Sequence, residues 1–213
     1  MPASGRELLD EFRARIAGWD WDVALLQEVP PWWPPALARA AGADERMALT
    51  SRNELLALRR FVAERRPDLI KSNGGGSNAL LVRGSIAEHR AVRLRRFPER
   101  RLVQVVALAD GTHVANMHLS TAPRLARDEL ERARALVGDS SPLIFGGDLN
   151  LRDPALPGLE HVAARDVDHV FVRGFAPAGD VVRLDRRLDS GALLSDHEAL
   201  LVPLEPRSPR NAP

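Results

Sequence analysis

Three short runs, Val23-Ala24-Leu25-Leu26, Ala79-Leu80-Leu81-Val82 and Pro142-Leu143-Ile144-Phe145, carry apolar side chains at nearly every position instead of at alternate ones. A strand of that kind hides both faces, so it needs a layer of structure on each side. The stretches 91–97 and 102–109 alternate instead, as strands with one solvated face do, and Asp110-Gly111 between 103–109 and 112–118 predicts a hairpin through a type I′ turn. Val170–Val172, Val181–Leu184 and Ala199–Val202 complete the expected strands. Helical spacing appears after a Ser4-x-x-Glu7 capping box up to Gly18, over 36–41 closed by Gly42, over 54–66 with Leu55, Leu58 and Val62 on one stripe, and over 126–137. Strands needing cover on both faces, mixed with hairpins and helices, predict an α/β fold: two packed β-sheets with helices outside.

At 213 residues without a composition break, the chain reads as one domain over 1–204 with a frayed proline-rich tail at 205–213. The triple-glycine stretch 72–77 is too short for an interdomain linker and is expected to be a loop. No run approaches the length of a membrane span, and no basic and apolar leader opens the sequence, so a cytoplasmic monomer is the expectation. The formal charge is only +1, and Lys71 is the only lysine, so the pI reflects arginine more than a cationic coat. Cysteine is absent, which excludes disulfides, thiolate metal sites and cysteine nucleophiles together. Any metal must sit on oxygen or imidazole.

The polar residues that matter stand where apolar strands end: Glu28, His118, Asp148, Asn150, Asp168 and the pair Asp196-His197. Strand ends can deliver such groups to one rim of a sandwich. Each has a plainer reading alone: a solvated charge for Glu28, a turn former for Asp148 or Asn150, a satisfied half-buried imidazole for His118. Clustered, the carboxylates would repel one another, and hard oxygen donors suit Mg2+ or Mn2+.

The ordered motifs LLQEV (25–29), NMHLS (116–120), FGGDLN (145–150), DHVFV (168–172) and LSDHEALLVPL (194–204) resemble the endonuclease/exonuclease/phosphatase superfamily of deoxyribonuclease I and exonuclease III. That resemblance implies a four-layered α/β sandwich of two mixed sheets and hydrolysis of phosphoester bonds with Mg2+ or Mn2+. By motif it assigns Glu28 and Asp196 to the metal and Asp148 to the attacking water. Asn150 falls to the scissile phosphate, His197 to phosphate contact or acid–base chemistry, Asp168 to orienting that histidine, and His118 to a second imidazole. Asn116, Asn78 and Arg101 are expected to touch substrate, and Gly146-Gly147 to let backbone approach a phosphate.

Two family features have no counterpart: an opening strand ending in asparagine, and a tyrosine before the strand at 79–82, since the sequence holds no tyrosine. Loss of the first predicts an unpaired strand edge or a start further upstream. Arg90, Arg93, Arg95, Arg96, Arg100 and Arg101 crowd one stretch, either along a phosphate backbone or as protection for a sheet edge. Trp19 and Trp21 read as core, and Trp32-Trp33 as candidates for stacking on a base or sugar. The leading expectation is a metal-dependent nuclease or phosphodiesterase on DNA or RNA. The alternatives are hydrolysis of a small or lipid-linked phosphate, and a non-catalytic binding module on the same fold. Substrate choice is expected to lie in loops 72–78 and 151–166.

Overall fold

The computed structural model describes residues 8–50, 56–66, 76–188 and 190–207. Among the described residues four helices, α1 (Leu9–Gly18), α2 (Pro34–Ala41), α3 (Leu56–Arg65) and α4 (Pro123–Val137), accompany thirteen strands. Strands β1 (Val23–Val29), β2 (Asp44–Leu49) and β3 (Ser77–Val82) form an antiparallel sheet in the order β1-β3-β2. A larger mixed sheet has the order β4-β5-β6-β7-β9-β8. Its strands are β4 (Ile86–Arg95), β5 (Arg101–Leu108), β6 (His113–His118), β7 (Leu143–Asp148), β8 (Glu160–Arg165) and β9 (Asp168–Arg173). Among the described residues only β6 and β7 pair in parallel, and α4 is the crossover that parallel neighbours require. Two ribbons complete the chain: β10 (Phe175–Pro177) with β13 (Leu204–Pro206), and β11 (Val182–Leu184) with β12 (Ala199–Leu201).

Three apolar clusters define the layers. Leu8, Ile16, Trp33 and Leu37 pack on Leu81, which seals α1 and α2 against the small sheet. Leu80, Val82, Val106 and Val114 fill the space between the sheets. Val103, Val105, Met117, Phe145 and Phe171 meet Ala126, Leu130 and Ala133 of α4 on the far side. Neighbouring residues of one strand, such as Leu80 and Leu81, therefore serve different cores, which is the two-faced burial that their continuous apolar run requires. The result is the four-layered α/β sandwich expected from the sequence.

Several elements depart from expectation. Strand β5 is buried on both faces, because its alternating polar position Gln104 is enclosed and donates to the carbonyl of Arg46. The hairpin after it is not type I′, since Gly111 alone there has a positive φ, of 87°. Gly111 and Leu108 N–H groups close a three-residue loop on Leu108 and Thr112, and Asp110 Oδ1 accepts from Thr112 N–H. Glu205 and Pro206, expected in the frayed tail, belong to Leu204–Pro206, which pairs with Phe175–Pro177, and the ribbon is closed at its ends by Ala178 N–H donating to Pro203 O and Arg207 N–H to Gly174 O. Within the expected loop 151–166, Glu160–Arg165 pairs with β9. On α3 Ala63 is buried while Leu58 is exposed, so the predicted stripe does not pack. Trp33 is a core residue tilted against Phe12, and Trp32 packs on the same cluster, so neither is presented for stacking. The Ser4–Glu7 capping box, Leu55 and most of 72–77 lie outside the described residues.

Strand β1 is only half-buried over most of its length. It pairs with β3 alone among the described residues, and its other edge borders a cleft of about 1320 Å³ that the β11–β12 ribbon faces from the opposite side. Among the described residues that edge is unpaired. No helix among the described residues is long and apolar enough to cross a membrane.

Candidate active site

Strand alternation decides which side chains reach the inner end of this cleft. In β6, Val114 faces the space between the sheets, so Asn116 and His118 share that face. In β7 the same parity carries Ile144 to Asp148, and in β9 it carries Val170 to Asp168. His118 lies beside Asp148 in the parallel pair, and Asp148 lies opposite Asp168 in the antiparallel one. Two carboxylates directly across a ladder repel each other, an arrangement with no benefit to the sheet itself. Alternation alone would turn Glu28 to the helix side, with Ala24 and Leu26. A bulge between Leu26 and Val29, with Glu28 at φ 55°, re-aims it until Oε1 stands 3.9 Å from His118 Nδ1. The residue before the bulge, Gln27, keeps its inward direction and donates to Asn116 Oδ1 at 2.7 Å.

His118 Nε2 is 3.3 Å from Asp148 Oδ2, and His197 Nδ1 donates to Asp168 Oδ2 at 2.7 Å. Asp148, Asp168 and His197 offer ligand atoms that all lie within 4.8 Å of one another. Asp148 Oδ1 also accepts the backbone N–H of Asn150, whose left-handed φ of 50° suits asparagine. Asn150 spends one amide N–H on the carbonyl of Leu119, and Asn150 and Asp196 both line the cleft.

Burial and neighbouring charge set these groups apart. Burial, then the charge of Asp168, raises Asp148 to about 6, against the pull of His197, Asn150 N–H and Arg101. Burial, then Arg101 and His197, lowers His118 to about 3. The hydrogen bond to Asp168 raises His197 to about 9, with the carboxylates of Asp168, Asp148 and Asp196 adding to it. Glu28 is raised by burial and then by Asp196. At neutral pH one imidazole is therefore neutral and the other charged, with an ionised carboxylate between them.

The structure brings together Glu28, His118, Asp148, Asn150, Asp168, Asp196 and His197, all of them lining one cleft. It does not bring Asn116 to the cleft lining: fully buried, its amide accepts from Gln27 and donates to the carbonyls of Leu26 and Ala79, binding the two sheets together. Asn78 is buried on β3, does not line the cleft, and its amide has no partner among the described residues. Arg101 is enclosed and donates to Glu99, yet its charge acts on Glu28, His118 and Asp148. Gly146 and Gly147 are required by the neighbouring strands, since a Cβ at either would stand 2.4 Å from His169 O or 2.1 Å from Met117 O, and Gly147 also lines the cleft.

One contributor escaped the sequence reading. Glu129 of α4, fully buried, accepts from the Ser120 N–H and hydroxyl, each at 2.8 Å, and from Arg95. It anchors the chain just beyond His118. The signal was there: Glu129 is a lone charge on the stripe Ala126, Leu130, Ala133 and Val137.

The model of the Endonuclease/Exonuclease/phosphatase family matches residues 2–197. No curated protein sequence matches the chain. Among solved structures it is similar to a functionally unknown conserved protein from Enterococcus faecalis V583, with TM-score 0.67, 14% identity and coverage of 93% of this chain and 91% of that one. TDP2 of D. rerio, complexed with single strand DNA product, gives TM-score 0.67 and 15% identity over 96% and 95% of the two chains. The human Nocturnin catalytic domain, with a bound sulfate anion, gives 0.62 and 17% over 93% and 87%. At these identities the structural likeness shows the fold alone.

Proposed function

We propose that this chain, which belongs to the Endonuclease/Exonuclease/phosphatase family, is a phosphodiesterase that cleaves nucleic acid by attack of water, with Mg2+ or Mn2+ as cofactor. Family membership supports phosphoester hydrolysis in general. The observation that carries the finer reading is the convergence on Asp148 of His118 at 3.3 Å and of the hydrogen-bonded Asp168–His197 pair, whose ligand atoms all lie within 4.8 Å of one another, with burial favouring a neutral His118 and Asp168 a protonated His197.

The donor set fits a hard cation. Carboxylates cluster with no thiolate in the sequence, and Glu28 is raised partly by the neighbouring Asp196, a repulsion that a cation relieves. Glu28 and Asp196 would hold the ion, which when bound supplies neutralisation of charge on the phosphoryl oxygens.

Asp148, ionised at pH 7 with a value near 6, accepts the proton of the attacking water. His118 stays neutral beside it and offers an N–H without adding a second cation. His197, protonated and fixed through Nδ1 by Asp168, has Nε2–H free to pass its proton to the leaving oxygen. One proton is taken and one given, so the charges balance over the step. Asn150, which lines the same cleft, keeps a second amide N–H to offer a phosphate, and the positive charge of Arg101 acts on the site.

Nucleic acid as substrate is supported by the DNA product in the D. rerio TDP2 structure. The test is hydrolysis of labelled single-stranded and duplex oligonucleotides, and of bis(p-nitrophenyl) phosphate, by the full chain with Mg2+. Cleavage is expected, with a loss of about 100-fold or more in Asp148→Asn at unchanged melting temperature. No hydrolysis of any phosphodiester would refute the reading, and turnover of the small diester without either oligonucleotide would move it to small phosphates.

A further inference from the structure

The arginine-rich stretch before the site divides into two sets. Arg90 donates to the carbonyl of Leu136, Arg95 to Glu129 and Arg101 to Glu99. Arg93 and Arg96, and Arg132 on the facing helix α4, enter no ion pair among the described residues. These three line an open concavity of about 570 Å³ on the flank of the edge strand β4, and Phe97 completes it. Phe97 is 72% exposed, more than any other large apolar side chain described, and the Arg96 guanidinium lies 5.5 Å from its ring centre. Protection of a sheet edge accounts for charge on β4. It does not account for a bare aromatic ring placed among the cations.

We propose that Phe97, with Arg93, Arg96 and Arg132, is a docking platform for single-stranded nucleic acid, the ring stacking on a base and the guanidiniums pairing with phosphates. The proposal rests on the phosphodiesterase reading and says where the polynucleotide runs. Only an unpaired base presents a face to an exposed ring, and an arginine-flanked aromatic accepts any base in that way. Placement agrees. Phe97 precedes Arg101 by four residues, so at a chain rise of about 3.5 Å per residue its Cα lies within about 14 Å of the Cα of Arg101, whose charge acts on Asp148 and His118. Arg132 stands nine residues along α4 from Pro123, about 14 Å down that helix at 1.5 Å per residue. A strand leaving the cleft would meet the ring first and the arginine flank after it.

The test is fluorescence anisotropy of the full chain with labelled oligothymidylate of about ten nucleotides, in EDTA so that nothing is cut. Phe97→Ala is expected to weaken binding by about 5- to 100-fold and Phe97→Trp to retain it, because stacking and not the precise ring is required. The pair Arg93→Glu with Arg132→Glu is expected to make log affinity less steep in log salt by about one to two, as two lost phosphate contacts require. With Mg2+, the ratio of kcat/KM for the oligonucleotide to that for bis(p-nitrophenyl) phosphate is expected to fall in Phe97→Ala by the same factor as affinity. Equal binding by wild type and Phe97→Ala overturns the platform, as does equal loss in Phe97→Trp or displacement by polyglutamate as effective as by oligonucleotide. Wild type that hydrolyses the small diester but does not bind the oligonucleotide overturns the platform and leaves the phosphodiesterase reading standing. If neither substrate is hydrolysed that reading fails, while the anisotropy still decides the platform.

Discussion

Replacing Asp168 by asparagine keeps the shape and an acceptor oxygen but removes the charge that holds His197 in its protonated form. In the native protein the imidazole rises from 6.5 to about 9, with the Asp168 hydrogen bond as the first cause and its charge as the next favourable one. Asp148 and Asp196 continue to act after the change. The His197 side chain is 41% exposed, so water screens much of the interaction. Taking about half of the full rise, Asp168→Asn is expected to lower the His197 pKa by about 1.2, or about 1.7 kcal/mol. Imidazole NMR titration in EDTA reads the change directly. Because His197 is raised above its unfolded value, its contribution to stability is complete below pH 6.5 and fades as pH rises through 9. Denaturant unfolding of the variant should therefore lose less stability over that window than the wild type loses. Asp168 also raises Asp148 by charge repulsion, so both limbs of the pH–rate profile are expected to move to lower pH together. A His197 titration within about 0.3 of wild type, or a fixed alkaline limb, would refute the orienting role of Asp168.

Asn116→Ala removes three hydrogen bonds between the sheets, one buried and two part-buried, and is expected to cost about 3 kcal/mol in denaturant melts; unchanged stability with a raised KM would return Asn116 to substrate binding. Gly147→Ala places a Cβ 2.1 Å from Met117 O at φ +127°, a predicted loss of about 3 kcal/mol or more, and a melt within about 1 kcal/mol of wild type contradicts the close approach. Chelation of divalent ions is expected to abolish hydrolysis until Mg2+ or Mn2+ is returned. Glu28→Gln is expected to raise the Mg2+ needed for half-maximal rate by about tenfold or more; a rate indifferent to EDTA removes the metal from the scheme.

The layers were legible in the sequence because burial leaves a period. A run such as Ala79–Val82 must be covered on both faces, and neighbouring residues duly pack into different cores. The residue types of the site were legible too, since carboxylate, amide and imidazole at strand ends restrict the chemistry to hard cations and proton transfer. Other features depend on contacts between segments far apart in the chain, and no local pattern encodes them. The bulge that turns Glu28 toward His118 reverses what alternation predicts. Asn116 sits in the motif beside His118 and shares its face, yet the opposing sheet takes up its amide before any substrate can. The two histidines are the same residue type in the sequence, and only burial beside Arg101 and contact with Asp168 make one neutral and the other charged. Chain order determined which groups could meet; the desolvation and charge that fix their protonation exist only once the sheets have packed.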